Sequence, residues 1–526
     1  MVDSLEKIFN NQTYLFDIKI TNPDGKEFQL NPEAVLQLVI EDNIHFFPFK
    51  GFFIYENSYE MIEKGLGSSQ LTELQKSTPA TEREKIKKEE PYLFRNDGKD
   101  YITILIKPTL NSISELIAKG APKELPPEIW NIKLEAVIYD QEDIEVGNIT
   151  QKCKKYYFWD KRFQQMLEKN VEWSTATSKY NESYLNLGKK YKPSQASDEQ
   201  RKMLTGQAIK ALLKENGFEN DITTDSELFD KGSTKIFFNS PNNYTMVDIL
   251  KYLLNAHVSE KNTFNTKDTD EVDICLFNLD RYTQKFELIP LWKYFKNAGS
   301  QPNKPGKWQI EYLLFDEMGN TNISSMKSPH NTNPNYVTDN LVTKIKTYQF
   351  VDMSAADNLN NIVTTPVYSY DFKNKKHLIN VEKSNISILS DKIKGIYLDN
   401  KIYAKGNYPL LTLNQNKINN TRINPTFSLR NDVESMYKHG IGKLLNSALF
   451  LNTCVVLKLD GATFRQSGRF VGIDRLTDSD NNLDYKLCGQ WFITTVKHVF
   501  FQNMYQTEVT AIKPHSYENL NLKQDV

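Results

Sequence analysis

The stretch that decides the fold lies near the C-terminal end of the sequence and has three parts. It reads Leu457-Lys458-Leu459-Asp460-Gly461-Ala462-Thr463-Phe464-Arg465-Gln466-Ser467-Gly468-Arg469-Phe470-Val471, then Lys486-Leu487-Cys488-Gly489-Gln490-Trp491-Phe492-Ile493-Thr494-Thr495-Val496-Lys497-His498, then Tyr505-Gln506-Thr507-Glu508-Val509. Glycine permits turns and close approach of two backbones. We therefore expect the segment between Gly461 and Gly468 to end one strand and start the next.

The second and third parts of this stretch predict a hairpin. Trp491, Ile493 and Val496 form one apolar side of a strand, broken by polar neighbours. His498 leads into a turn at Gln502-Asn503, after which the last strand begins. Together the three parts predict an antiparallel meander of the kind that completes a small barrel.

The N-terminal part of the sequence, residues 1–160, predicts a β-barrel domain of its own. Residues 14–20 alternate between apolar and polar, and residues 27–30 return after the turn signal Asp24-Gly25. Short strands continue along this region, as in a barrel or a sandwich. The Glu/Lys-rich stretch 68–91 interrupts them, and we interpret it as a solvated charged insert.

The remainder of the sequence divides into three regions. Residues 161–265 predict a mostly helical insert, because 197–216 and 245–256 each carry an apolar stripe at helical spacing. Residues 266–430 predict a second β region with long loops, and residues 431–526 a helix followed by antiparallel strands that complete a barrel. The expected fold class is α+β, mostly β. It has two small antiparallel β-barrel domains, a helical insert and an irregular Asn-rich middle region.

The composition excludes several function classes. The chain has 526 residues, and at about 150 residues per domain this length suggests about three to four domains. Its 65 Lys and Arg balance 66 Asp and Glu, which argues against a polybasic nucleic-acid binder. Hydrophobic residues make up 39% and aromatic residues 12%, so there is enough apolar surface for several cores. A wholly disordered chain is therefore not expected.

The cysteines and the hydropathy pattern indicate a protein made in a reducing compartment. The four cysteines show no Cys-x-x-Cys pairing and no neighbouring histidine cluster, so we expect reduced thiols. The N-terminus has no basic start followed by an apolar run, and no window approaches 18 apolar residues. We therefore expect no signal peptide and no membrane span.

A search for motifs that carry chemistry finds none. The sequence has no phosphate-binding loop, no dinucleotide fingerprint, no His-Glu-x-x-His and no Gly-x-Ser-x-Gly. Asp478-Ser479-Asp480-Asn481-Asn482 begins like a calcium loop, but Leu483 and Gly489 stand where that loop needs Gly and Glu. We therefore expect no catalytic residue, no metal site and no cofactor, and a structural or binding role.

The C-terminal stretch resembles the C-terminal part of baseplate hub proteins of contractile-tailed bacteriophages and related injection machines. In that family a glycine–arginine–glycine turn precedes a strand that ends in Val-x-His and a strand that begins with Tyr. The matching positions here are Gly461, Arg465, Gly468, Gly489, Trp491, Val496, His498 and Tyr505. Upstream the order of features is also similar, with an early β-domain and Asn239-Ser240-Pro241 before a helix.

The resemblance implies a symmetry adapter without enzymatic activity. Such a protein forms a ring-shaped homotrimer in which two barrels per chain give a pseudo-sixfold face for the hexameric tail tube protein. The opposite face carries a trimeric central spike protein, and other baseplate (wedge) proteins attach around it. DNA passes through the channel without specific binding, so a neutral or acidic lumen is expected. The resemblance places the protein in the virion, in the phage tail, after assembly in the bacterial host cytoplasm.

Two alternatives from other classes stay open at this point. One is a tail-associated peptidoglycan hydrolase, for which the compact helical region 161–258 would have to supply a catalytic glutamate. The other is a receptor-binding or carbohydrate-binding tail protein, which exposed aromatic residues would suggest. Such proteins tend to show repeats or long fibrous β segments, and the sequence shows no period of 20–50 residues.

Overall fold

The structure is a computed structural model of the whole chain. It describes residues 5–44, 49–56, 62, 94, 98–109, 131–145, 153–181, 201–223, 235–256, 275–281, 283–290, 311–315, 342–352, 367–371, 376–380, 453–475 and 489–513. The predicted charged insert at 68–91, the predicted helix at 431–447 and most of the Asn-rich middle region lie outside these residues.

The N-terminal part of the chain forms a curled sheet of eight strands, which we call the N-terminal barrel. They are β1 (Glu6–Phe9), β2 (Gln12–Thr21), β3 (Glu27–Gln29), β4 (Val35–Asn43), β5 (Phe49–Glu56), β6 (Tyr101–Pro108), β7 (Ile132–Ile144) and β8 (Cys153–Asp160). The order in the sheet is β1-β2-β6-β7-β8-β5-β4, with β3 paired to β2, and every pairing among them is antiparallel. Buried and partly exposed residues alternate along β2 and most of β6, because one face of each strand faces the core.

The core of this barrel is aromatic and aliphatic, and it includes two side chains from the C-terminal end of the chain. Phe500 and Tyr505 belong to the same buried cluster as Phe9 and Phe16 of the first two strands. Their rings stack on each other with centroids 4.0 Å apart, and Phe9 meets Phe500 edge-on at 5.2 Å. The N-terminal barrel is therefore complete only when the last hairpin of the chain is in place.

The C-terminal barrel is a closed ring of six strands. They are β13 (Glu311–Phe315), β14 (Val342–Asp352), β17 (Thr453–Asp460), β18 (Phe470–Arg475), β19 (Gly489–Phe501) and β20 (Met504–Lys513). The ring runs β19-β18-β13-β14-β17-β20 and closes by the pairing of β20 with β19. Trp491, Val496 and Val509 lie in its fully buried core.

Strand β19 belongs to both barrels. Its first residues, Gly489–Phe492, pair with β18, and residues Thr495–Phe501 of the same strand pair with β4 of the N-terminal barrel. An irregularity in the pairing with β20 lies between Ile493 and Thr495, where the strand changes neighbours. One sheet thus continues from β1 to β20, and the two barrels share a strand.

Three helices form a separate core with four short strands. The helices are α1 (Lys161–Glu168), α2 (Thr205–Glu215) and α3 (Met246–Ala256), and the strands are β9 (Met203–Leu204), β10 (Lys235–Ile236), β11 (Cys275–Asp280) and β12 (Lys285–Pro290). Asp160 caps α1 by accepting from the N–H groups of Arg162 and Phe163. Thr245 and Asp248 bond reciprocally at the start of α3. A further hairpin pairs β15 (Val367–Asp371) with β16 (Lys376–Asn380).

The predicted fold class, α+β and mostly β, is confirmed, and two local features differ from the expectation. Strand β13 pairs in parallel with both β14 and β18, whereas we expected antiparallel barrels throughout. Helix α2 begins at Thr205, because Met203–Leu204 pair as a strand with Ile236 and Lys235, and the expected helix start at 197 lies outside the described residues. The turn predicted at Gln502-Asn503 is present, with Gln502 in the left-handed region at φ 52°.

Candidate functional site

The segment between β17 and β18, residues 461–469, is buried although it has no regular secondary structure. Thr463, Arg465, Gln466 and Ser467 are each at most 7% exposed. Polar groups withdrawn from water in this way need partners inside the protein. Its partners lie on the N-terminal barrel, on the β11–β12 hairpin and on the last hairpin. We call the segment 461–469 together with these partners the junction.

Gly461 allows the segment to pass directly over a tyrosine ring. Its N–H donates to the Tyr505 carbonyl at 3.0 Å, and a Cβ at this position would lie 2.1 Å from the ring carbon Cγ of Tyr505. No side chain fits at that distance, so glycine is required here for close approach. The next N–H, of Ala462, donates to Thr507 Oγ1 at 3.1 Å.

His498 is buried and connects a tyrosine to an arginine. Its Nδ1 lies 2.8 Å from Tyr505 Oη, and its Nε2 lies 3.0 Å from Arg281 Nη1. The same Nε2 also lies 3.1 Å from the Arg465 carbonyl oxygen, so this ring nitrogen has both a donor and an acceptor within hydrogen-bond distance. Burial, followed by the charge of Arg281, lowers the pKa of His498 well below its usual value, which agrees with a neutral ring.

Arg281 donates hydrogen bonds to the backbone of the segment 461–469. It stands directly after β11, is 8% exposed, and donates from Nη2 to the carbonyl oxygens of Thr463 and Arg465, the latter at 2.8 Å. Burial lowers the pKa of this guanidinium, and the negative charge of Asp42 opposes that shift. The bidentate reach of arginine suits this position, where one side chain meets two carbonyls and a ring nitrogen.

Asp42 is the contribution of the N-terminal barrel. It is the last buried residue of β4 and accepts from Ser467 twice, from the N–H at 2.9 Å and from the hydroxyl at 2.8 Å. Burial raises the pKa of this carboxyl, while Arg281 and the two bonds from Ser467 counteract the shift. Asp42 and Arg281 are thus opposite buried charges that compensate each other across the junction.

An ion pair between Asp280 and Arg469 extends the junction on the side of the β11–β12 hairpin. Asp280 accepts from Gln466 Nε2 at 3.2 Å and pairs with Arg469 at 3.1 Å. Behind it, burial raises the pKa of Glu287 to about 7, and the charge of Arg469 opposes this shift. Three separate parts of the chain, in β4, β11–β12 and 461–469, are therefore held together by charged groups.

The junction has the properties of a structural lock. His498 and Tyr505 are both completely buried, so no solute can reach the ring nitrogens or the hydroxyl from solvent. Satisfied buried networks of this kind make an arrangement specific, because each member left without its partner costs free energy. The geometry therefore supports a structural role, in which the junction fixes the orientation of the two barrels and the helical part.

Four of the eight residues singled out in the sequence lie in the junction: Gly461, Arg465, His498 and Tyr505. Arg465 donates to the Asp460 carbonyl and offers its own carbonyl to Arg281.

Of the other four residues, one lies in the turn before β18 and three lie in strand β19. Gly468 takes a φ of 76°, and its N–H donates to the Ile493 carbonyl at 2.9 Å, which fixes the turn before β18. Gly489 is the first residue of β19 and pairs with Ile473, while Trp491 and Val496 fill the core. These positions shape the shared strand and its neighbour.

Sequence reasoning missed Asp42, Arg281 and Ser467. Asp42 follows the apolar run at residues 38–40 of the same strand, and an acid placed on a strand's buried face is a signal for a buried partner. Arg281 lies 182 residues from Thr463 in sequence, and nothing local indicates that contact. Ser467 lies within the quoted stretch, but a serine directly before a glycine is equally typical of a turn.

The described part of the chain shows neither a metal-binding cluster nor a membrane-spanning helix. No group of three or more His, Cys, Asp or Glu side chains there could hold a metal ion. Among the same residues, no helix is long and apolar enough to cross a membrane. Neither Cys153 nor Cys454 forms a disulfide.

Comparison with solved structures finds weak likenesses along most of the chain. A tail protein from Neisseria meningitidis is 8% identical, with 95% of this chain and 99% of that chain covered, at a TM-score of 0.42. The prophage MuSo2 tail protein from Shewanella oneidensis is also 8% identical, with 95% and 98% covered, at 0.41. A type VI secretion system component of E. coli is 8% identical, with 92% and 76% covered, at 0.35. No protein-family model and no curated protein sequence matches this chain.

Proposed function

We propose that this protein is a structural part of a contractile phage tail, the baseplate hub that joins the hexameric tail tube to a trimeric central spike. The observation that carries the proposal is the pair of barrels that share strand β19 and are fixed by the junction. Three such chains present six barrels to a sixfold tube. The trimer itself has threefold symmetry, which matches a trimeric spike. The C-terminal motif that resembles hub proteins lies in this same shared region.

The physical demand on such an adapter is rigidity between its two barrels. A tail transmits a mechanical load during contraction, and a hinge between the barrels would absorb it. The shared strand β19 and the two hydrogen bonds from Ser467 to Asp42 connect the two barrels directly. In this proposal the role of the junction is mechanical, and the protein performs no bond-making step and needs no cofactor.

The proposed partners follow from this arrangement. They are two further copies of the chain, the tail tube protein, the central spike protein and the wedge proteins of the baseplate. DNA passes through the ring without specific binding, which is consistent with the chain's net charge of −1. The proposed location is the virion, after assembly in the cytoplasm of the bacterial host.

One glutamate of the helical part is already used for structure, which weighs against a peptidoglycan hydrolase. The Glu215 carboxylate accepts from Trp173 Nε1 at 2.8 Å, from Ser178 Oγ at 2.9 Å and from the Lys179 N–H at 2.6 Å. The oxygens of this carboxylate are thus occupied by groups of the fold, which is a structural role and not that of an acid that faces a substrate. We expect no clearing of cell-wall material in a zymogram.

The proposal is tested by the mass of the purified protein in solution. Three chains of 61.0 kDa each predict a particle of about 183 kDa in light scattering at micromolar concentration. The same measurement is made after co-expression with a candidate central spike protein, because some assemblies close only on their partner. A 61.0 kDa monomer in both preparations would overturn the proposal.

A further inference from the structure

A cleft of about 540 Å³ opens in the helical part, away from the junction. Its walls are the segment 172–177, the side chain of Arg201 and the segment 237–242. Hydrogen bonds hold the two segments together: the Thr175 N–H donates to Phe238 O at 3.0 Å, and the Ser240 N–H donates to Trp173 O at 2.8 Å. The cleft is therefore formed before any ligand arrives, and its size is typical of small-molecule sites.

The lining of the cleft combines one exposed aromatic ring with neutral polar groups. Phe237 is 53% exposed, and Thr177, Asn239 and Asn242 bring a hydroxyl and two amides to the same space. Hydroxyls and amides each both donate and accept hydrogen bonds, so they match a ligand whose groups do the same. The ring offers an apolar face for stacking, and burying it against a ligand is favourable.

The charges of the cleft are balanced. Glu172 and Arg201 are the two ionisable side chains of its lining, and they carry opposite signs. The site therefore gives no net attraction to an anionic or a cationic ligand. A neutral ligand that has both C–H faces and many hydroxyls meets every feature of this lining.

We propose that this cleft binds a short, neutral oligosaccharide, with one sugar ring stacked on Phe237 and its hydroxyls bonded to Asn239 and Asn242. Binding of a peptide by strand addition is disfavoured, because that mode needs a free backbone edge. Here the edges of the two segments are bonded to each other, through Thr175, Phe238 and Ser240. The inference goes beyond the hub role, and its failure would leave that role untouched.

The test uses the full chain and three neutral probes: cellotetraose, maltotetraose and tetra-N-acetylchitotetraose. Tetragalacturonate serves as the anionic control, and an uncharged octapeptide of Ser and Asn as the peptide control. Binding is followed by saturation-transfer NMR and by calorimetry. We expect at least one neutral tetrasaccharide to bind with a Kd of about 1 mM or tighter, and neither control to bind as well.

The matched variants are Phe237→Ala and Tyr348→Ala. Tyr348 is 47% exposed on β14, so it is an exposed aromatic residue of the C-terminal barrel and not of the cleft. Phe237→Ala is expected to weaken binding at least about tenfold, the loss that 1.4 kcal/mol produces. Phe237→Tyr keeps the ring and is expected to restore binding, and Tyr348→Ala to leave it within about twofold.

Several results would overturn the proposal. They are binding of none of the three neutral sugars, equal affinity of the wild type and Phe237→Ala, or tighter binding of the peptide or of tetragalacturonate than of every neutral sugar. Each variant is checked by circular dichroism for an unchanged melting transition. A Phe237→Ala protein that melts early is set aside, and the proposal then stands or falls on Asn239→Ala under the same criteria.

Discussion

At the scale of single residues, the molecule depends on a few side chains that meet from distant parts of the sequence. The glycine requirement at position 461 follows from its closeness to the Tyr505 ring and could be suspected from the glycine spacing alone. The contact of His498 with Arg281 and that of Ser467 with Asp42 could not, because these residues are 217 and 425 positions apart and only the folded chain brings them together. Local propensity contains no information about such contacts.

The Gly461→Ala variant should lose stability by overpacking. Its new methyl group would lie inside the van der Waals contact of the Tyr505 ring, so the ring or the backbone has to move. We expect a loss of about 2 kcal/mol or more in the free energy of unfolding, measured by urea titration. Gly25→Ala is the matched control, since nothing lies within 4 Å of its Cβ position and only its φ of 80° is strained. That control should lose only about 1 kcal/mol.

Replacing Arg281 by Met should destabilise the fold strongly, because Asp42 would keep a buried charge without its cation. We expect a loss of about 3–5 kcal/mol, the usual cost of breaking a buried pair from one side. The double variant Arg281→Met with Asp42→Asn should recover part of it. Strict additivity of the two single losses in urea unfolding would show that the two residues do not interact.

Glu287 should make stability depend on pH in a defined direction. Its folded pKa of about 7 lies above the ordinary 4.5, so the folded state holds the proton more tightly than the unfolded state. Its contribution is therefore neutral below pH 4.5 and becomes destabilising as the pH rises to about 7. We expect wild type to lose about 2 kcal/mol over this window relative to Glu287→Gln. Parallel pH profiles of the two proteins would refute this assignment.

At the scale of elements, period-two alternation predicted strands and helical spacing predicted helices, and both follow from local geometry. The last hairpin was predictable because its turn and its apolar side lie within a few residues of each other. The parallel pairing of β13 and the pairing of β19 with strands of both barrels were not predictable. The apolar pattern of a strand does not indicate which strands lie beside it.

Strand β19 is the element whose loss should damage both barrels. Lys497 pairs with Glu41 on one side and Glu508 on the other, so a proline there removes a ladder bond in the middle of the sheet. We expect Lys497→Pro to cost about 3 kcal/mol or more and to raise hydrogen exchange in β4 as well as in β20.

Ile8→Pro is the control for this prediction. The edge strand β1 bonds to β2 through alternate residues, as the bond from Phe16 N–H to the Leu5 carbonyl shows, so the Ile8 N–H points away from β2. Its loss should stay below about 1 kcal/mol. A larger loss for Ile8→Pro than for Lys497→Pro would contradict the central position of β19.

At the scale of the whole molecule, the balance of 65 basic and 66 acidic residues is compatible with a ring that passes DNA without holding it. Strand β19 pairs with strands of both barrels, so each chain holds two β units joined by one continuous sheet. Sequence patterns indicated two barrels, but that they share one strand emerged only from the fold.

The most direct test of the proposed hub role is electron cryo-microscopy of the purified full-length protein, alone and with its co-expressed spike protein. The account predicts class averages of a threefold ring in which six barrel densities surround an open channel. Separate single chains in both samples, or a ring whose barrels do not number two per chain, would contradict it.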